Sequence, residues 1–351
     1  MIDIVTLFDP DRPMAPLMCV EMSGNHQGRL EAALAFVDEA KARGADLLKV
    51  QVYRPDTITL HSDRPDFRLP AADTWSEYGT LYDLYAHAHT PWDWIEAMFR
   101  HGEAIGLPVF ASPFDETAVD LLERLGCPIY KIASPEIGDI GLIEACARTG
   151  KPVILSTGLA SKEDLDRAVA TIRRFDAPLM ILKCVSAYPT PAEDMNVATV
   201  PWLRETYGCA VGLSDHTVGL GAACAAAALG ARLVEKHFKL PGDDTSVDAK
   251  FSLDLDRLPE MKQALADAAA SVGTATMEIP EIARPSLSGR RSLYVVAAMR
   301  KGEVFTRDTV RSIRPCYGMA PMHLPDVLGK VATRDIERGE RMSWDLVADP
   351  A

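Results

Sequence analysis

A chain of 351 residues exceeds what one small core usually fills, so a large domain followed by a smaller one is expected. With 48% hydrophobic and 25% charged residues the composition is that of a packed globular protein, and the longest apolar run, around residues 222–229, is too short for a membrane span. The net charge of −13 argues against a broad nucleic-acid-binding face, and it means that an anionic substrate must find local cations inside a pocket.

The chain opens MIDIVTLFDPDRP, with Asp3, Asp9 and Asp11 and no basic segment leading into an apolar stretch. That does not read as a secretory leader, so a cytoplasmic location is expected. Short β-rich runs then alternate with amphipathic stretches as far as residue 270. Strands are predicted at 17–21, 47–52, 108–112, 129–133, 153–157, 179–183, 210–213 and 233–237. Helical patterns fall at 30–43, 91–105, 116–125, 140–149, 162–174 and 221–229, with a last one at 258–270. Eight such units match a (β/α)8 TIM barrel better than an open doubly wound sheet.

Polar groups gather at the strand ends: Glu21; Lys49 with Gln51; Ser112; Lys131 with Ser134; Ser156; Lys183; Ser214 with His216; Lys236 with His237. On a barrel these ends converge on the face that carries active sites. Residues 53–90 break the rhythm and are expected to form a functional loop or lid over the mouth. Residues 271–289, with Gly273, Pro280, Pro285 and Gly289, read as a linker between a domain at 1–270 and a compact, mainly β module at 290–351. The seven cysteines are odd in number, scattered and without a C-x-x-C pair, so they are expected to be reduced.

His216 and His237 close adjacent strands, where two neutral imidazoles can share one divalent ion and leave positions open for substrate. A packed or hydrogen-bonded histidine is the alternative. Lys49 and Lys131, with Ser134, Ser156 and Ser214, are candidate receptors for phosphate or carboxylate. Glu21, Glu136 and Asp248 are candidate acid–base or sugar-binding carboxylates, ionised near lysines and neutral if desolvated.

EMSGNHQG at 21–28, KVQVYRPDTITL at 49–60, SPFDETAVD at 112–120, YKIASPEI at 130–137, LSTGLAS at 155–161, SAYPTP at 186–191 and GLSDHT at 212–217 together resemble the sialic acid synthase family. The small C-terminal module resembles that family's antifreeze-like, or SAF, domain. Within the family, LYDLYAHAHTPWDW at 81–94, SIRPCYG at 312–318 and LGKVATRDIERG at 328–339 look most like the branch that makes pseudaminic acid. The resemblance implies condensation of phosphoenolpyruvate with an amino sugar, 2,4-diacetamido-2,4,6-trideoxy-L-altrose for that branch. It implies that His216 and His237 hold a divalent metal, manganese first with magnesium or cobalt as alternatives.

By the same resemblance Lys49, Lys131, Ser134, Ser156 and Ser214 contact phosphoenolpyruvate. Glu21, Gln51, Tyr188 and Asp248 lie on the sugar side with Ser186, and Glu136 manages protons and water. Arg314 reaches the partner's active site in a domain-swapped homodimer. Three positions depart from the family pattern: Ser186 where Asn is frequent, Gln27 where NHNG has Asn, and Lys250, which adds a charge next to Asp248. Other readings are an N-acetylneuraminate or legionaminate type of synthase, a Schiff-base aldolase using Lys131 or Lys49, and a non-catalytic carbohydrate-binding protein.

Overall fold

Runs such as LMCVE, LLKVQV and LVEKHFK are too short for helices and are buried along nearly their whole length. Strands covered on both faces have that character. The computed structural model describes residues 3–350 and separates into two units, one ending at Gly273 and one starting at Thr274. In the first unit eight parallel strands pair in chain order: β1 (Leu17–Glu21), β2 (Leu47–Val52), β3 (Val109–Pro113), β4 (Tyr130–Ile132), β5 (Val153–Ser156), β6 (Leu179–Cys184), β7 (Ala210–Asp215) and β8 (Leu233–Lys239). β1 also pairs with β8, Glu21 opposite His237, which closes the sheet into a TIM-like barrel.

Helices follow the strands and cover the barrel with one apolar stripe each. Lys162–Arg173, for example, starts with a capping box between Ser161 and Asp164 and buries Leu165, Ala168, Val169 and Ile172. Each large aliphatic side chain so buried contributes roughly 1.5–3 kcal/mol. Glu116–Arg124 is capped by Asp115, whose carboxylate accepts from the N–H groups of Thr117 and Ala118.

The structure adds a helix that the sequence pattern did not single out, Thr199–Tyr207 between β6 and β7. It has no side-chain cap and buries only Val200, Leu203 and Tyr207, so its periodic signal is weak. Pro201 sits in its first turn, where the missing N–H has no helical partner to lose. Residues 53–90 are not a bare loop: they hold two short helices, Pro55–Ile58 and Leu81–Ala88, and 3₁₀ turns at Pro65–Phe67 and Ser76–Tyr78.

In the second unit Glu281–Gly289 is 3₁₀-helical. Antiparallel pairs follow, Ser292–Val295 with Val310–Ile313 and Val331–Ala332 with Val347–Ala348, around a core that includes Leu293, Val295, Phe305, Ile336 and Met342. No helix among the described residues is long and apolar enough to cross a membrane.

Candidate active site

Side chains alternate along a strand, so Lys49 and Gln51 on β2 face one way, as do Glu235 and His237 on β8. Both pairs point into the barrel, and the ion pairs there cross from strand to strand. The Lys49 ammonium lies 2.9 Å from Glu21 on β1 and 3.4 Å from Glu235, all three buried. Lys131 on β4 meets both oxygens of Glu235, at 3.0 and 2.9 Å. Ser214 Oγ donates to the same carboxylate at 3.3 Å.

Glu235 is thus the hub between the two lysines, and sequence reasoning passed over it. The available signal was its position two residues before His237 in VEKHF, which puts both on the inner face. Burial alone would raise its pKa, but the Lys131 and Lys49 ammoniums outweigh burial and bring it down to about 2. Lys49 moves the other way: burial lowers it, and the Glu21 and Glu235 carboxylates more than restore it, so it stays firmly protonated. A protonated amine is no nucleophile, which counts against a Schiff base on Lys49. Burial raises Glu21 above the ordinary carboxylate range, with Lys49 opposing.

Not every polar strand end belongs to the mouth. Lys236 faces outward and forms a buried ion pair with Asp215 at 2.8 Å, while also donating to the Thr217 carbonyl. Alternation explains this, since Asp215 lies between the inward Ser214 and the inward His216. Lys183 spends its ammonium on the Cys184 carbonyl, 2.9 Å away. Lys250 is exposed and turns to Glu77, 3.2 Å distant, and to the Thr74 carbonyl, so the expected charge beside Asp248 is absent.

Above the lysines lies a ring of small hydroxyls. Ser134 Oγ accepts from the Gly158 N–H at 2.8 Å, while the buried hydroxyls of Ser156 and Ser186 have no partner. A Cβ on Gly158 would fall within 3.0 Å of the Ser186 and Ser134 hydroxyls and the Cys184 sulfur, so glycine keeps this recess open. Unpaired buried hydroxyls are free to meet a polar ligand. Cys184, another residue missed from sequence, sits 3.9 Å from His216 Nδ1.

The two histidine rings lie 5.4 Å apart, centroid to centroid. His216 Nδ1 is 2.8 Å from the Val185 carbonyl, which can only accept, so Nδ1 carries a proton and Nε2 is the nitrogen left to meet a ligand. His237 Nδ1 is buried without a hydrogen-bond partner, 3.9 Å from Asp248. Burial, helped by His216 and the nearby lysines, holds His237 well below the ordinary histidine range and hence neutral. Burial lowers the pKa of His216, but Cys184, the Val185 carbonyl and Glu235 outweigh burial and raise it, so His216 can join His237 as a nitrogen donor to a divalent ion only in its neutral form. Among the described residues there is no group of three or more His, Cys, Asp and Glu that could hold a metal ion.

The remaining wall is aromatic and acidic. Tyr188 packs on His216 with centroids 4.3 Å apart and on Phe251 at 5.0 Å. Gln51 bridges Glu21 and Ser23, donating to each at 2.9 Å. Burial raises Asp248, opposed by Ser23, the Gly24 backbone and Trp75. Glu136 follows β4 in the turn Ser134–Gly138, with a buried oxygen that has no partner. Burial raises it to about 7, and Lys49 and Lys131 on the same side only partly offset that. Arg314 belongs to the second unit, exposed just beyond Val310–Ile313.

The chain matches the NeuB family over residues 36–277 and the SAF domain over residues 290–348. It belongs to the NeuB family. It is 39% identical over 336 residues to the pseudaminic acid synthase of Campylobacter jejuni subsp. jejuni serotype O:2, covering 95% of this chain and 97% of that one. Against the N,N'-diacetyllegionaminic acid synthase of the same strain the identity is 28% over 334 residues, covering 92% and 98%. The crystal structure of an N-acetylneuraminic acid synthetase from Leptospira borgpetersenii, in complex with citrate, matches with a TM-score of 0.68 and 26% identity over 78% of this chain and 90% of that one. The NeuB match begins only at residue 36, so EMSGNHQG and the Glu21 it supplies lie outside it.

Proposed function

We propose that this NeuB-family chain condenses phosphoenolpyruvate with 2,4-diacetamido-2,4,6-trideoxy-L-altrose to give pseudaminic acid and phosphate. The observation that carries the reading is one barrel mouth holding an anion receptor, a histidine pair and a carboxylate-lined wall side by side. The acceptor is chosen by the higher identity to the pseudaminic than to the legionaminic synthase. With no metal group of three donors among the described residues, His216 and His237 are the proposed holders of manganese, with magnesium or cobalt as alternatives.

Lys49 and Lys131, with Ser134, Ser156 and Ser214, hold the phosphate and carboxylate of phosphoenolpyruvate. Glu21, Gln51, Tyr188, Ser186 and Asp248 orient the open-chain sugar so that its aldehyde carbon faces C3 of phosphoenolpyruvate. A divalent ion on the histidine pair supplies Lewis-acid polarisation of the aldehyde oxygen. As the C–C bond forms, positive charge develops at C2, where the buried carboxylates stabilise it. Glu136 takes a proton from the water that adds to C2 and returns it to the former aldehyde oxygen, which becomes a hydroxyl. The C2 hydroxyl then gives its proton to the departing phosphate as the C–O bond breaks, leaving the C2 ketone. The reaction is placed in the cytoplasm.

Incubation of the purified protein with phosphoenolpyruvate and a panel of 2-acetamido and 2,4-diacetamido sugars, read by mass spectrometry, is expected to give the nine-carbon acid with equimolar phosphate. No product from any sugar in the panel would overturn the assignment.

A base must be ionised, and Glu136 at about 7 is half protonated near neutrality. The rate is therefore expected to rise with pH through about 7 and to level off above it. In Glu136→Gln the rate is expected to fall about a hundredfold and that limb to vanish. A limb that survives the substitution assigns the titration elsewhere.

Arg314 is proposed to reach the barrel mouth of a partner copy in a domain-swapped homodimer. Mixing Arg314→Ala with His216→Ala subunits is then expected to restore up to about a quarter of the activity, from the intact sites of mixed dimers. Mixed dimers without activity would place the arginine in its own barrel.

A further inference from the structure

Of the aromatic groups around the mouth, Trp75 has no role in the chemistry above, yet it is fixed from several sides. Its ring centroid lies 5.5 Å from that of Tyr188 and 6.0 Å from that of Phe251, and its indole N–H donates to the Val247 carbonyl at 3.2 Å. The preceding residue pins the same turn, Thr74 Oγ1 donating to the Tyr188 carbonyl at 2.9 Å. Glu77 two positions on is held by Lys250. A segment of residues 53–90 is thereby fastened to the loops that carry Tyr188 and Asp248. Trp75 remains part-exposed, as a residue with one face on the mouth must be.

Tyr188 stands between His216 and Trp75, so the three rings form a series leading away from the histidine pair. A sugar whose aldehyde lies at the histidines and whose chain follows Tyr188 would bring its far end to Trp75. The donors at that end are already engaged: the Trp75 N–H, the Thr74 hydroxyl and the Lys250 ammonium each have an acceptor within the protein. An aromatic face with its polar neighbours occupied suits C–H and methyl groups. A hydroxyl placed there would give up its water donors without gaining a free donor from the protein.

We infer that Trp75 is a specificity-determining residue that selects acceptor sugars with an apolar, deoxygenated terminal carbon over those with a terminal hydroxyl. The inference rests on the condensing activity proposed above and names the part of the acceptor that this wall reads.

The test compares kcat/KM for a 2,4-diacetamido-2,4,6-trideoxyhexose and for the 2,4-diacetamido-2,4-dideoxyhexose of the same configuration, which differs only in bearing a 6-hydroxyl, at saturating phosphoenolpyruvate. In the wild-type protein the deoxy sugar is expected to be favoured. Apolar sites discriminate against an added hydroxyl by up to about a hundredfold. Trp75→Gln, which offers an amide to the hydroxyl, is expected to cut the preference at least tenfold with the KM for phosphoenolpyruvate unchanged. Trp75→Phe, which keeps an aromatic face, is expected to retain it.

A wild-type protein that uses the deoxy sugar selectively, with Trp75→Gln slowing both sugars equally, overturns this inference and leaves the proposed activity standing. A wild-type protein that condenses neither sugar overturns both. If Trp75→Gln fails to fold, Trp75→Phe still decides, because loss of the preference in a folded phenylalanine variant contradicts recognition by an aromatic face.

Discussion

His237→Ala is expected to lose about a thousandfold in kcat and to purify with less than about a tenth of the wild-type metal content. The size follows from the role: polarising a carbonyl is worth several kcal/mol, and each 1.36 kcal/mol is a factor of about ten in rate. His237 is the sharper choice of the two histidines. Its Nδ1 is buried with no hydrogen-bond partner, whereas His216 Nδ1 is satisfied by Val185. An imidazole buried for structure alone would be expected to satisfy both nitrogens or to face solvent. Elemental analysis and kinetics on the same sample check the claim, with chelation and manganese re-addition to the wild type as the parallel experiment. Full activity in a preparation with no bound metal would remove the ion from the scheme.

The barrel was legible because its signals are local and repeated. Eight short apolar runs with helical stretches between them leave few topologies, and the observed strands differ from the expected ones by no more than two residues at any end. β7 and β8 run two residues further, to Asp215 and Lys239, because Asp215 pairs with Lys236 and because Phe238 and Lys239 pair with Leu253 and Asp254. Identifying which polar end faces inward needs strand register as well as residue type. Lys49 and Lys236 look alike in sequence, but one lies in the barrel with Glu21 and Glu235 and the other outside it with Asp215. Lys250 looked like a neighbour of Asp248 along the chain, yet its long side chain reaches Glu77, 173 positions away. Glu235 left only the spacing signal of its place two residues before His237, since the partners that reveal its role come from β2, β4 and β7. Long-range charge pairing leaves no local periodic trace.

Glu235→Gln isolates what that hub does. The substitution keeps shape and one acceptor oxygen, replaces the other with an amide NH2, and removes the negative charge that Lys131 meets at 2.9 Å and Lys49 at 3.4 Å. Leaving a buried ammonium without its counter-charge costs about 3–5 kcal/mol. Lys49 keeps Glu21, so the lower end of that range is expected, with a fall in Tm of several degrees for a protein of this size. The same change alters substrate binding in the opposite sense. In the resting protein Glu235 occupies the cations that the proposed phosphoenolpyruvate contacts require, so ligand and carboxylate compete for them. Without the carboxylate the ligand becomes the only new source of negative charge for Lys131. The KM for phosphoenolpyruvate is therefore expected to fall about tenfold while kcat falls about a hundredfold, because the anion is held more tightly and the lysines lose the partner that positions them. Thermal shift with phosphoenolpyruvate should show a larger stabilisation of Glu235→Gln than of the wild type. A purely structural carboxylate predicts a lower Tm with no gain in anion affinity, and that outcome would reject the competition between Glu235 and substrate.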